Sequence, residues 1–103
     1  MNKYVYEEIA NRIPTTLPLK CRKDGDFYQV LGFSNTEILS INNTAYEILK
    51  RCDGKSTLLQ IHEELMQVYN DIDSDRLLKD IVHTIVNFEH LNWITFCRDF
   101  ANA

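Results

Sequence analysis

The chain has 103 residues, with 11 Lys and Arg against 15 Asp and Glu for a net charge of −4, and with 45% apolar and 25% charged residues. Those proportions describe one ordinary globular domain, which at this length buries roughly two thirds of the surface its unfolded chain exposes. They exclude a disordered segment, and the acidic balance argues against nucleic acid as a partner, because a phosphate-binding surface needs a basic excess.

Residues 1–16 form a separate compositional unit, an N-terminal arm in which Tyr4, Tyr6, Ile9 and Ile13 are spaced as in a short amphipathic helix that Pro14 stops. The main domain spans residues 17–97, and residues 98–103 are a tail. From Leu17 the period changes to two: Leu19 and Cys21 alternate with Lys20 and Arg22, and Asp24-Gly25 supplies a hairpin turn. A second strand rich in aromatic and β-branched residues covers 27–33, closed by a turn at Gly32, Ser34 and Asn35. Residues 37–41 make the third strand. Tight turns between short strands give an antiparallel meander in which the first and third strands are both edges.

Helices follow. Asn42 or Asn43 caps the first, which carries Ala45, Ile48, Leu49 and Cys52 on one face and ends at Gly54 in a left-handed conformation. Thr57 and Gln60 stand in capping-box spacing at the head of the second, with Leu58, Ile61, Leu65, Val68 and Tyr69 on its inner face. The third starts near Asp73 or Ser74 and runs to Leu91, with Leu78, Ile81, Ile85 and Phe88 as its core stripe and Asn92 as a left-handed cap. A short strand or wing over 93–97 completes an α+β, winged-helix-like domain: a three-stranded antiparallel sheet followed by three helices.

Signs of catalysis are lacking. Cys21, Cys52 and Cys97 show no Cys-x-x-Cys spacing and read as reduced thiols. His62, His83 and His90 form no His-x-x-x-His or Glu-x-x-His pair, even with Asp80 and Glu89 nearby, so they read as solvated or groove-lining rather than as metal ligands. No glycine-rich phosphate loop or nucleophile elbow occurs. The expectation is a protein without catalytic residues, metal or cofactor. Glu7 and Glu8 interrupt the N-terminus before an apolar run long enough for a signal peptide, and no stretch nears the ~18 apolar residues of a membrane span. A cytoplasmic location and no membrane partner are expected.

The third helix is over-apolar. At 100° per residue its apolar and near-apolar positions cover roughly 220° of the wheel, about twice what one-sided packing needs. The surplus lies at Val82 and Val86 on one flank and at Leu77 and Leu91 on the other. Together with the open edge of the third strand, Glu37, Ile38, Leu39, Ser40 and Ile41, a surplus flank makes a groove suited to an extended peptide. Arg76, Lys79 and His83 border the Val82 and Val86 side, which favours that flank and an acidic peptide. A winged-helix DNA-binding transcription regulator is the alternative, but Asp75, Asp80 and Glu89 outweigh Arg76 and Lys79 on the helix that would enter the groove of DNA.

The segment Leu39-Ser40-Ile41-Asn42-Asn43-Thr44-Ala45-Tyr46-Glu47-Ile48-Leu49, followed by Cys52-Asp53-Gly54, Thr57, Ile61 and Leu65, resembles the core of the PqqD-like family. Phe88-Glu89-His90-Leu91-Asn92-Trp93-Ile94 resembles its closing turn, with Asn92 in place of Gly. The likeness runs from about Leu17 to Ile94. This family is also called the precursor-peptide recognition element of ribosomally made, post-translationally modified peptides. The resemblance implies a non-catalytic domain that takes a precursor leader as an added strand between the third strand and third helix. It also implies a modifying enzyme, often a radical SAM protein, as the second partner.

Overall fold

In the computed structural model, which describes residues 9–32 and 37–97, the period-two segment folds as a meander packed against three helices. The elements in order are β1 (Pro14–Thr16), β2 (Leu19–Asp24), β3 (Phe27–Gly32), β4 (Leu39–Asn42), α1 (Asn43–Lys50), α2 (Leu58–Val68), α3 (Ser74–His90) and β5 (Ile94–Phe96). β2, β3 and β4 form an antiparallel sheet in that order, so β2 and β4 are its edges. Val30, on the central strand, is fully buried beneath the helices. The fold is therefore α+β, a three-stranded sheet followed by three helices.

Local chemistry sets the helix starts. Asn42 caps α1 by accepting from the Ala45 amide at 2.8 Å. Thr57 and Gln60 complete a reciprocal capping box on α2, and the Asp73 carboxylate accepts from the Arg76 amide on α3. Asn92 has a φ of 59° just past α3, where its short polar side chain tolerates the left-handed region.

Several expected boundaries shift. The first hairpin turn is Gly25-Asp26 rather than Asp24-Gly25, since Asp24 still pairs with Phe27 and Gly25 alone takes a positive φ. β4 begins at Leu39, leaving Glu37 and Ile38 ahead of the strand. α1 ends at Lys50 with Arg51 as its cap, so Gly54 does not end the helix. Gly54 instead takes its φ of 77° in the following turn and donates to the Pro14 carbonyl at 3.0 Å. Val68, expected inside, is 51% exposed at the end of α2, because the chain turns away there. The core stripe of α3 is Leu77, Ile81, Val82, Ile85 and Phe88, rotated from the expected one so that Leu78 is half-buried.

The expected helix of the arm falls largely outside the described residues. Residues 14–16 are a strand rather than a mere helix stop: β1 pairs antiparallel with β5, matching Pro14 to Phe96 and Thr16 to Ile94. The Leu58 and Leu59 amides, free at the start of α2, donate to the Arg12 and Ala10 carbonyls. The end of the arm is thus stitched to the domain by backbone bonds.

A candidate peptide groove between β4 and α3

β4 and α3 leave a cleft of about 400 Å³. Leu39, Ser40 and Ile41 line it from the strand, Ala45 from α1, Thr84, Asn87, Phe88 and His90 from α3, and Leu91 and Trp93 from the turn that follows. Trp93 is buried and packs on Phe88 with ring centroids 5.4 Å apart, which gives the cleft a rigid aromatic base. The lining holds no Asp, Glu, Lys or Arg, and His90 is its one histidine.

The two sheet edges differ in charge. β2 carries Lys20, Arg22, Lys23 and Asp24, the kind of charged edge that discourages strand addition. β4 reads Leu-Ser-Ile-Asn and is uncharged. Its outer side has no neighbouring strand among the described residues. Among the described residues, the β4 edge couples unpaired backbone groups to a cleft without acidic, lysine or arginine side chains.

Of the residues expected to form the site, the structure brings Leu39, Ser40 and Ile41 to the cleft. Glu37 is exposed ahead of β4, and Ile38, 62% exposed, lies in a different hollow on the outer face of the sheet. Arg76, Lys79 and His83 are exposed on α3 but do not line the cleft. Val82 is 4% exposed and belongs to the core, and Val86 is 37% exposed away from the cleft. The flank that meets β4 is therefore the one carrying Thr84 and Leu91, opposite the flank favoured from the charges. Spacing of seven between Thr84 and Leu91 is the signal available for it, whereas Leu77, named with Leu91 for that flank, is fully buried in the core. Which side of a two-sided helix meets a strand edge depends on docking, and a helical wheel does not contain that.

Elsewhere the titratable groups have structural roles. His62 Nε2 donates to the Ser74 carbonyl at 3.0 Å, joining α2 to the start of α3. Asp53 Oδ1 accepts from the Lys55 and Ser56 amides at 2.8 and 3.0 Å, and the Lys55 amide above all holds its carboxyl below the ordinary carboxylate range. Burial pushes the Glu47 carboxyl up, but its hydrogen bonds and charge pairing with Arg51 and Lys50 outweigh that and hold it low. Burial, with a smaller contribution from the Asp53 charge, pushes the Cys52 thiol up to about 12. Among the described residues, no group of three or more His, Cys, Asp and Glu side chains is placed to hold a metal ion, and no helix is long and apolar enough to cross a membrane.

Searches of curated proteins and of solved structures find no match. Residues 29–94 match the family model described as Coenzyme PQQ synthesis protein D (PqqD), a span that begins within β3, takes in β4 and all three helices, and ends at the first residue of β5. The match covers most of the chain and both walls of the cleft, and the chain belongs to the PqqD family.

Proposed function

We propose that this protein binds the leader of a ribosomally made precursor peptide as a fourth strand on β4 and presents the rest of the peptide to a modifying enzyme, without catalysis of its own. Membership of the PqqD family supports a peptide-binding role in peptide-derived biosynthesis, with a modifying enzyme as second partner; a radical SAM protein is the kind of enzyme this reading favours. The observation that carries it is the pairing of an open, uncharged strand edge with the apolar cleft beside it. Main-chain hydrogen bonds along β4 supply affinity, and alternate side chains of the added strand enter the cleft and supply specificity. A neutral lining favours apolar anchors in the leader over the acidic ones that Lys79 and His83 suggested.

The test is amide exchange and calorimetry with the synthetic leader of a candidate precursor peptide. Exchange at Leu39, Ser40 and Ile41 slows on adding the leader, and Ser40→Pro weakens binding far more than Ser40→Ala. The affinity is unchanged by a chelator and falls little with added salt, whereas duplex DNA binding falls steeply. Protection confined to other elements overturns the reading.

A further inference from the structure

The sheet face turned away from the helices sets three apolar side chains, Phe27, Leu31 and Ile38, among polar ones. A sheet packed on one face ordinarily carries polar residues on the other. Here Leu31 and Phe27 occupy two of the three outward positions of β3, opposite Lys20 and Asp24, with Gln29 between them, and Phe27 is 51% exposed. Ile38, two residues ahead of Ser40, adds a further exposed apolar side chain. Lys20, Cys21, Arg22, Asp24, Gln29, Leu31 and Ile38 line a hollow of about 490 Å³, larger than the cleft beside β4.

Basic groups outnumber acidic ones in this lining, Lys20 and Arg22 against Asp24. Asp24 accepts from Gln29 Nε2 at 3.3 Å, and among the described residues the side chains of Lys20 and Arg22 have neither an ion-pair nor a hydrogen-bond partner. A basic excess around Leu31 and Ile38, on a chain of net charge −4, fits a partner surface that sets an apolar side chain among carboxylates. Position narrows the choice of partner. Register places Ser40 opposite Gln29, on this same face, so a strand added to β4 continues the pleat and stands every second side chain on it. The hollow and those outward side chains then form one surface.

We propose that the outer face of the sheet docks the peptide-modifying enzyme, through an apolar side chain flanked by carboxylates, and that the enzyme reads the outward side chains of the bound leader on that same face. The proposal rests on the leader-binding reading above. Its consequence is coupling: the enzyme binds the loaded domain more tightly than the empty one, and the leader binds more tightly by the same factor when the enzyme is present.

The experiment measures binding of the peptide-modifying enzyme that acts on the same precursor to the full-length protein, with and without leader, by biolayer interferometry. For the doubly substituted Lys20→Glu, Arg22→Glu protein, and separately for Leu31→Ser, enzyme affinity falls about tenfold or more while leader affinity stays within about twofold. Circular dichroism melts confirm that both variants fold, and the charge-reversed pair also loses the salt sensitivity of the parent's enzyme binding. Undiminished enzyme binding by the charge-reversed protein overturns the proposal, as does a stable dimer through this face, which would place a second copy of the chain there. Leader that leaves β4 exchange unchanged defeats the leader reading instead, and the charge-reversal arm still decides whether the enzyme uses this face.

Discussion

Tyr28 of β3 and Tyr46 of α1 stack face to face, with ring centroids 3.7 Å apart and planes within 4°. Lys50, one turn along α1, places its ammonium 5.9 Å from the Tyr46 centroid, so the electron-rich stack lies close to a cation. The pair ties the central strand to the helix that follows β4. Replacing either ring by Leu destabilises the fold, and a double-mutant cycle on Tyr28→Leu and Tyr46→Leu gives a coupling of about 0.5–1.5 kcal/mol in urea unfolding.

The two flanks of α3 respond differently to substitution. Thr84→Lys crowds the cleft and weakens leader binding tenfold or more, whereas Lys79→Ala and Val86→Ser leave it unchanged, because neither side chain lines the cleft. Calorimetric titration of the three variants distinguishes them.

Val82→Ser fails by a different route. Val82 is in the core, so a hydroxyl there loses apolar packing and lacks a ready hydrogen-bond partner, at a cost of about 1–3 kcal/mol. Its melting temperature drops by several degrees, and any binding defect disappears at temperatures where the variant is folded.

How legible the molecule was depends on the range of the interactions. The cap at Thr57 and the left-handed Asn92, and to within one residue the caps at Asn42 and Asp73, are readable because each is decided within four residues. Tyr46 was passed over because it lies off the Ala45, Ile48, Leu49 stripe and its partner is on another element. Pro14 looked like a helix stop because its strand partner, Phe96, is far along the chain. Leu39, Ser40 and Ile41 were found as an edge, but the flank of α3 facing them was not, since that depends on how helix and sheet dock.

Thiol chemistry separates the three cysteines. Cys21 and Cys97 are exposed and Cys52 is buried, so a disulfide reagent titrates two thiols rapidly and the third only on unfolding. The raised Cys52 thiol also makes stability fall on the alkaline side: above about pH 8.5 the unfolded thiol ionises while the native one stays protonated. Cys52→Ala flattens that limb of the pH–stability curve.

On the acid side the sign reverses. The Asp53 carboxyl is held low, so its stabilisation is present above the ordinary carboxylate pKa and is lost as pH falls through the lowered native value. Asp53→Asn removes that part of the acid dependence while keeping an oxygen for the Lys55 and Ser56 amides, as urea midpoints measured between pH 2 and 6 will show.

The β1–β5 ladder joins residues about 80 positions apart. Closing a loop of that length costs on the order of 4 kcal/mol of chain entropy before its few backbone bonds form. The meander and the capped helices need no such closure, and they can assemble first. The ladder is then a latch that shuts late in folding and opens early, so that native-state exchange at Thr15, Thr95 and Cys97 outpaces exchange at Val30 and Ile81. A local opening of this kind frees β5 while β1 stays bonded to Cys52 and Gly54, and the β4 edge stays intact.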